Sequence, residues 1–266
     1  MRVKYLRVSV MRRIMAKDLF DLTGKTALVT GARTGIGFAI AHALAEHGAD
    51  IVTISSRIEP DSEIEQAVRK LGREFKSIKC DFKSREETVA VCKEIEKLDI
   101  EILVNNSGIA NRGPVLEHTD EQWDETLEVD LTAPFLIART VAQKMAKKGY
   151  GKIIFIASMW SFLGGANVIS YTASKSAISG LTRGMSNELL PLGITVNAIA
   201  PGFIDTNINA AVRQNPQRFA YLTSRIPAGR WGVPDDLAGA GVFLAAPASD
   251  YVSGVVLAVD GGFLAN

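Results

Sequence analysis

From residue 25 onward the chain alternates two patterns of apolar and polar positions. Short, almost continuous apolar runs have the signature of strands buried on both faces. Between them lie longer stretches in which apolar residues recur every three or four positions, as on one side of a helix. Strands are predicted at residues 25–30, 50–55, 75–79, 101–105, 152–157, 195–199 and 255–259. Helices are predicted at 36–47, 62–71, 84–98, 119–148, 171–192 and 234–244. Ser62 with Glu65, and Ser84 with Glu87, have the spacing of a capping box, and Thr119 with Gln122 repeats it. Pro134 is expected to kink or divide the long helix, and Gly48 and Gly193 to stop theirs.

Strand followed by helix, repeated throughout, predicts one parallel sheet covered on both sides: a single-domain, doubly wound α/β fold. No internal repeat, low-complexity tract or linker divides the chain. Residues 201–232 break the rhythm. They show no strand pattern and contain Pro216, Pro227 and several arginines after Pro201. A connection of that length in such a fold predicts a lid over a ligand site.

Composition narrows the function classes. Of 266 residues, 47% are apolar and 22% charged, which excludes a disordered chain. A net charge of +1 gives no bulk electrostatic case for nucleic acid or a membrane surface. Cys80 and Cys92 cannot form a disulfide framework, and His42, His47 and His118 lack metal-ligand spacing. The expectation is a soluble, metal-free cytoplasmic protein, and composition says nothing yet about its chemistry. Residues 1–14 carry five basic and no acidic side chains. They are expected to be a disordered extension ahead of a domain at 15–266, in which Met15 reads as a natural start.

The first predicted strand runs into Thr30-Gly31-Ala32-Arg33-Thr34-Gly35-Ile36-Gly37 and then a helix. Glycines there allow a tight turn and close approach of backbone to a pyrophosphate, while the helix start presents free amides. A plain glycine-rich turn would look the same in isolation; its place after the first strand favours a dinucleotide site of the Rossmann type. The second strand ends in Ser55, Ser56 and Arg57, with Arg33 across the turn. No carboxylate stands there to repel a 2′-phosphate, and two guanidiniums could clamp one. NADP(H) is therefore favoured, with NAD(H) possible.

Tyr171 and Lys175 are four residues apart at the start of a helix and share a face. A neighbouring ammonium favours the phenolate, so Lys175 is expected to lower the Tyr171 pKa and make it a usable acid/base. Ser158 ends the fifth strand, at the same rim of the sheet.

In order along the chain, TGARTGIG, CDF, NNSG, Ser158/Tyr171/Lys175, NAIAPG and VDGG resemble the short-chain dehydrogenase/reductase family over residues 20–264. The resemblance implies that Gly31, Gly35 and Gly37, with Thr34 and Ile36, hold the pyrophosphate. It implies that Asp81, beside Phe82, bonds the adenine, and that Asn106 and Gly108 line the adenosine side. Pro201, Gly202, Ile204 and Thr206 would hold the nicotinamide amide, and Asn105 would serve the sheet. Ser158 would bond the substrate oxygen, Tyr171 would pass the proton, and Lys175 would tune Tyr171 and hold the nicotinamide ribose. A homotetramer is implied as well. One position departs: where the family usually has asparagine in the helix after NNSG, this chain has Asp130. Its charge is expected to oppose the phenolate and shift the pH optimum upward.

The stretches ASMWSFLGG, SYTASKS, IPAGRWGVPDDL and AVDGGFLAN are similar to a branch of the family acting on small sugar acids. Such a substrate needs a cationic anchor and polar partners. The candidates are Arg112 after the NNSG loop, Arg213 in the lid, and Trp160 and Asn167 near Ser158. A reductase of another uronate-derived ketone or of a 3-oxoacyl thioester is the alternative. The lid residues Asn207, Asn209, Arg213, Gln214 and Asn215 are polar, whereas a thioester would want an apolar lid. A catalytically weak dinucleotide-binding protein is a third reading, favoured only by Asp130.

Overall fold

The computed structural model describes residues 19–57 and 59–266. The basic segment 1–14 and the start at Met15 lie outside the described residues. Seven strands and nine α-helices alternate among the described residues: β1 (Thr26–Thr30), α1 (Gly35–Glu46), β2 (Asp50–Ser55), α2 (Glu63–Lys70), β3 (Phe75–Lys79), α3 (Arg85–Ile95), β4 (Ile102–Asn105), α4 (Asp120–Leu127), α5 (Ala133–Lys148), β5 (Gly151–Ile156), α6 (Ile169–Leu189), β6 (Ile194–Pro201), α7 (Ala210–Arg213), α8 (Pro216–Ser224), α9 (Ala238–Ala245) and β7 (Val256–Val259). All strands are parallel, in the order β3-β2-β1-β4-β5-β6-β7. The chain runs outward from β1 in one direction and then returns beside β1 with β4. That reversal opens a crevice at the carboxyl ends of the strands.

Side chains of one strand point alternately to two cores. Ala27 and Val29 of β1 pack with Ile40 and Leu44 of α1 and Leu244 of α9. Leu28 faces the other side with Ile137 and Met145 of α5 and Ile178 of α6. Each of these side chains is almost wholly buried, which stabilises the fold by about 1.5–3 kcal/mol apiece for those larger than alanine. A third, smaller cluster of Phe203, Trp231, Phe263 and Met159 forms the floor beneath residues 201–232.

The caps diverge from their shared spacing. Thr119 and Gln122 close a full capping box. Ser84 accepts the Glu87 amide, but the Glu87 carboxylate turns to the Asp81 amide at 2.8 Å and fixes that loop instead. Ser62 makes no side-chain cap bond, so the predicted box at the start of α2 does not form.

The predicted helix at 119–148 is divided just ahead of Pro134. A π-helical turn, Glu128–Thr132, joins α4 to α5. Pro134 has no N–H to donate to the carbonyl of Asp130, four residues earlier, so the regular ladder opens there and takes an extra residue. That turn carries Asp130. Residues 201–232 form no strand beyond the end of β6, in keeping with the pattern read in the sequence, but they hold helices that it did not indicate. They contain a 3₁₀ turn (Asn207–Asn209), α7 and α8, the last opened by the Asn215 side chain accepting the Arg218 amide at 3.0 Å. No residue of α8 is fully buried; Phe219 and Leu222, one turn apart, pack partly buried against the Phe203–Trp231 cluster, a stripe too short to mark a helix in the sequence. No helix among the described residues is long and apolar enough to cross a membrane, and none of their acidic, histidine and cysteine side chains form a metal-binding group.

Candidate active site

A cleft of about 990 Å³ runs along the carboxyl ends of the strands, from Arg57 at one end to Tyr171 at the other. Its two ends are built differently.

The end beside α1 is made of backbone. Gly31 and Gly35 adopt φ of 68° and 63°, which side chains disfavour. A Cβ on Gly31 would lie 2.9 Å from the Ser107 hydroxyl, and one on Gly37 would lie 2.4 Å from the Gly31 carbonyl oxygen. Gly37 does not line the cleft; it lets α1 start close against the turn. The Asn106 side chain is spent on that turn, donating to the carbonyls of Thr30 (2.9 Å) and Gly31 (3.2 Å). Thr34 caps α1 without a side-chain bond, and the first turn has no acid. Free amides and a positive dipole end thus face a cradle with no room for a Cβ, which fits a pyrophosphate.

Beyond the turn, Arg33, Ser56, Arg57, Asp81 and Phe82 line the same cleft. Arg33 reaches Glu59, with Nη1 2.8 Å from Oε1. The Ser55 hydroxyl donates to the Arg57 carbonyl and accepts the Arg57 amide, which holds the arginine at the strand end. Asp81 accepts the Lys83 amide on one oxygen at 3.1 Å. Nothing acidic among these residues replaces a ribose-binding carboxylate at the end of β2.

The other end is made of buried side chains. Ser158 follows β5 and caps the 3₁₀ turn Met159–Ser161, where its hydroxyl accepts the Trp160 amide at 3.2 Å. Ser161 donates to the Lys175 carbonyl at 2.6 Å and so ties that turn to α6. Tyr171 and Lys175 lie one turn apart on α6, and the ammonium stands 5.4 Å from the centre of the phenol ring. Lys175 Nζ donates to the Ile156 carbonyl at 3.1 Å and lies 3.2 Å from Asp130 Oδ2. Asp130 is fully buried, and its other oxygen accepts the Ile109 amide at 2.8 Å. Gly108 packs against this pair: a Cβ there would come within 3.2 Å of Asp130 and 3.4 Å of Lys175 Nζ. Gly108 therefore belongs to this end of the cleft rather than to the adenosine side.

Electrostatics corrects one expectation. Burial raises the Tyr171 phenol above its ordinary value. The Lys175 ammonium pulls it down, as do the Ser158 hydroxyl and Arg112, but the Asp130 carboxylate pushes it up, and the net shift is upward. Lys175 lowers the phenol pKa as expected; its pull is outweighed. Burial raises Asp130 too, against the pull of Lys175 and the Ile109 amide. Burial disfavours the Lys175 ammonium, yet the negative charges of Asp130 and of an ionised Tyr171 hold its pKa above the usual lysine value.

Between the two ends, Pro201, Gly202, Ile204 and Thr206 line the cleft where β6 enters the lid. The missing Cβ of Gly202 leaves room for Asp260, whose Cα a side chain would meet at 2.7 Å, so this glycine also has a packing role. Asn105 donates to the Pro134 carbonyl at 3.3 Å.

The substrate candidates divide. Arg112 and Trp160 line the cleft. Arg112 keeps an exposed side chain, though partial desolvation lowers its pKa; it donates to the Ile208 carbonyl (3.3 Å) and Asn209 Oδ1 (3.4 Å) of the lid. Arg213 does not line the cleft; its guanidinium pairs with Asp205 at the lid root. Asn167 does not line it either. It turns the chain at φ 61°, and its carbonyl accepts the Gly113 amide at 3.1 Å. The lid cations that do line the cleft are Arg218 and Arg225, which the sequence reading missed. The available signal was Asn215-Pro216, a helix start that puts Arg218 in the first turn of α8.

The family described as Enoyl-(Acyl carrier protein) reductase matches residues 31–264. A 2-dehydro-3-deoxy-D-gluconate 5-dehydrogenase from Pseudoalteromonas atlantica is 47% identical, over 93% of this chain and 98% of its own. A 5-keto-D-gluconate 5-reductase from Escherichia coli is 42% identical, over 93% and 98%. The structure of a gluconate 5-dehydrogenase from Burkholderia cenocepacia, in complex with NADP and tartrate, superposes with a TM-score of 0.89. It is 38% identical and covers 95% of this chain and all of its own.

Proposed function

The chain belongs to the short-chain dehydrogenase/reductase family, and on that footing we propose that it moves hydride between NADP(H) and a small sugar acid of the 2-dehydro-3-deoxy-D-gluconate kind. NAD(H) remains a usable second cofactor. The observation that carries the reading is the convergence of Ser158, Tyr171 and a buried Lys175 on a cleft that also holds the cationic Arg112. An acid/base and a carboxylate anchor then face one another across a space open to a small polar anion.

The glycine turn and α1 would hold the pyrophosphate, with Arg33, Ser56 and Arg57 at the 2′-phosphate and Asp81 and Phe82 at the adenine. Lys175, Pro201, Gly202, Ile204 and Thr206 would orient the nicotinamide, which supplies or accepts the hydride. In reduction, Ser158 donates a hydrogen bond to the substrate carbonyl oxygen as negative charge develops there. Tyr171 gives its phenolic proton to that oxygen, and a raised pKa keeps the proton on Tyr171 through neutral pH. Alcohol oxidation needs the phenolate as base, so the same raised pKa makes oxidation favour alkaline solution. Arg112 and the polar lid bind the carboxylate and hydroxyls. Asn207, Asn209 and Arg218 on the cleft side of the lid argue against a 3-oxoacyl thioester, although Ile208, Val212 and Leu222 share that lining.

β7 ends the sheet half-exposed, and Leu190, Leu192, Val255 and Tyr251 stand exposed nearby. These apolar side chains support a homotetramer that uses this edge and the long helices, which light scattering would test. The functional test is a steady-state screen of 2-dehydro-3-deoxygluconate, gluconate and 5-ketogluconate, each with NADP(H) and NAD(H). Turnover of one of these sugar acids is expected. Turnover of a 3-oxoacyl thioester alone would overturn the substrate, and absence of any nicotinamide-linked turnover would overturn the activity.

A further inference from the structure

The clamp read for a 2′-phosphate is already engaged within the protein. Arg33, held in the glycine turn and lining the cleft, forms an ion pair with Glu59, and neither side chain is more than partly buried. Glu59 stands on the loop after β2, two residues past Arg57, and does not itself line the cleft. We propose that Glu59 is an internal competitor of the 2′-phosphate, and that it sets how strongly the site prefers phosphorylated over unphosphorylated adenosine. The proposal rests on the NADP(H) reading of this end of the cleft.

A carboxylate and a phosphate engage a guanidinium in the same way, through N–H donors and opposite charge. When a 2′-phosphate arrives, two outcomes are open. Glu59 can leave, and its pair with Arg33 is lost. Or Arg33 can bind both anions with separate N–H groups, and the carboxylate then repels the phosphate at close range. Each outcome weakens binding of the phosphorylated nucleotide, and neither touches a nucleotide that lacks the phosphate. Arg57 has no such competitor among the contacts described, so the clamp keeps a net attraction. The device narrows the gap between NADP(H) and NAD(H) by weakening the phosphorylated cofactor alone.

The test is direct binding, by calorimetry at low salt, of 2′,5′-ADP and 5′-AMP to the wild-type protein, Glu59→Gln, Arg33→Ala and the double variant. Glu59→Gln is expected to tighten 2′,5′-ADP by about three- to fivefold, the scale of one exposed charge pair. It should move 5′-AMP by less than about twofold on the same scale. The gain should shrink in high salt and vanish in the Arg33→Ala background. An unchanged ratio of the two dissociation constants in Glu59→Gln, or a gain that survives removal of Arg33, overturns the proposal. If the wild-type protein binds 2′,5′-ADP no better than 5′-AMP, the NADP(H) reading fails. Glu59 is then judged separately, by whether its neutralisation opens a gap between the two nucleotides.

Discussion

The cleft joins a phosphate end built of backbone to a chemical end built of buried side chains. At the first, function depends on what is absent. Gly31, Gly35 and Gly37 act by having no Cβ, the free amides of α1 do the binding, and the charged groups around them are half-exposed and individually weak. At the second, function depends on what is present. Ser158, Tyr171, Lys175 and Asp130 are packed together, and each charge is felt by its neighbours through a medium that screens little. A change at the phosphate end therefore acts through shape or through small, salt-sensitive charges, whereas a change at the chemical end is strongly coupled to the rest of its group.

The largest effect should come from removing the proton carrier. Tyr171→Phe is expected to lower kcat by about 10²–10⁴-fold, the usual worth of a positioned acid/base, with nucleotide affinity little changed. Retained turnover would erase the distinction between the two ends. Gly37→Ala attacks the other end by volume alone. Its new methyl has no room against the Gly31 carbonyl oxygen, and the variant should lose about 1–3 kcal/mol in denaturant unfolding, with weaker nucleotide binding.

Next comes the coupling itself. Asp130 raises the Tyr171 pKa, so Asp130→Asn should lower it. The rise of alcohol oxidation with pH, which follows phenolate formation, should then move to lower pH, and the point where carbonyl reduction falls off should move down with it. Superimposable pH–rate profiles would show that Asp130 does not act on the phenol. The smallest effect belongs to the surface cations. Arg57→Ala should narrow the NADP/NAD ratio of catalytic efficiencies by about tenfold or less, and less again in high salt.

The same contrast governs what the sequence discloses. Most strands were legible because near-continuous apolar runs bounded by turn residues leave little choice; β2 begins and ends where the pattern does. The glycine turn was legible because its chemistry is local in the chain. The lid helices were not, because they are short: α8 turns only Phe219 and Leu222 toward the Phe203–Trp231 cluster, and both stay partly exposed, so the lid arginines could not be assigned to a face. Arg213 was chosen, and Arg218 and Arg225 missed, for that reason. The box at Ser62 failed for a related cause: spacing shows that a bond can form, not that the side chain turns to make it. The direction of the Asp130 effect was legible, because a carboxylate where the family has asparagine opposes the phenolate. What was not legible is burial, which raises the phenol most and outweighs Lys175. Desolvation is set by tertiary packing, and no window of sequence contains it.

The π-helical turn has a consequence for how the chain tolerates change in length. It accommodates one residue more than a regular turn, and successive residues of an α-helix are rotated by about 100°. Deleting one residue from 128–132 would let α4 and α5 fuse into one continuous rod with both flanks kept in rotational register, because the turn already holds the surplus residue. Only positions inside the turn would be re-aimed, and the opposition of the Asp130 carboxylate to its ammonium is what that re-aiming puts at stake. A gap of one placed further along, within α5, would instead rotate everything beyond it by about 100°.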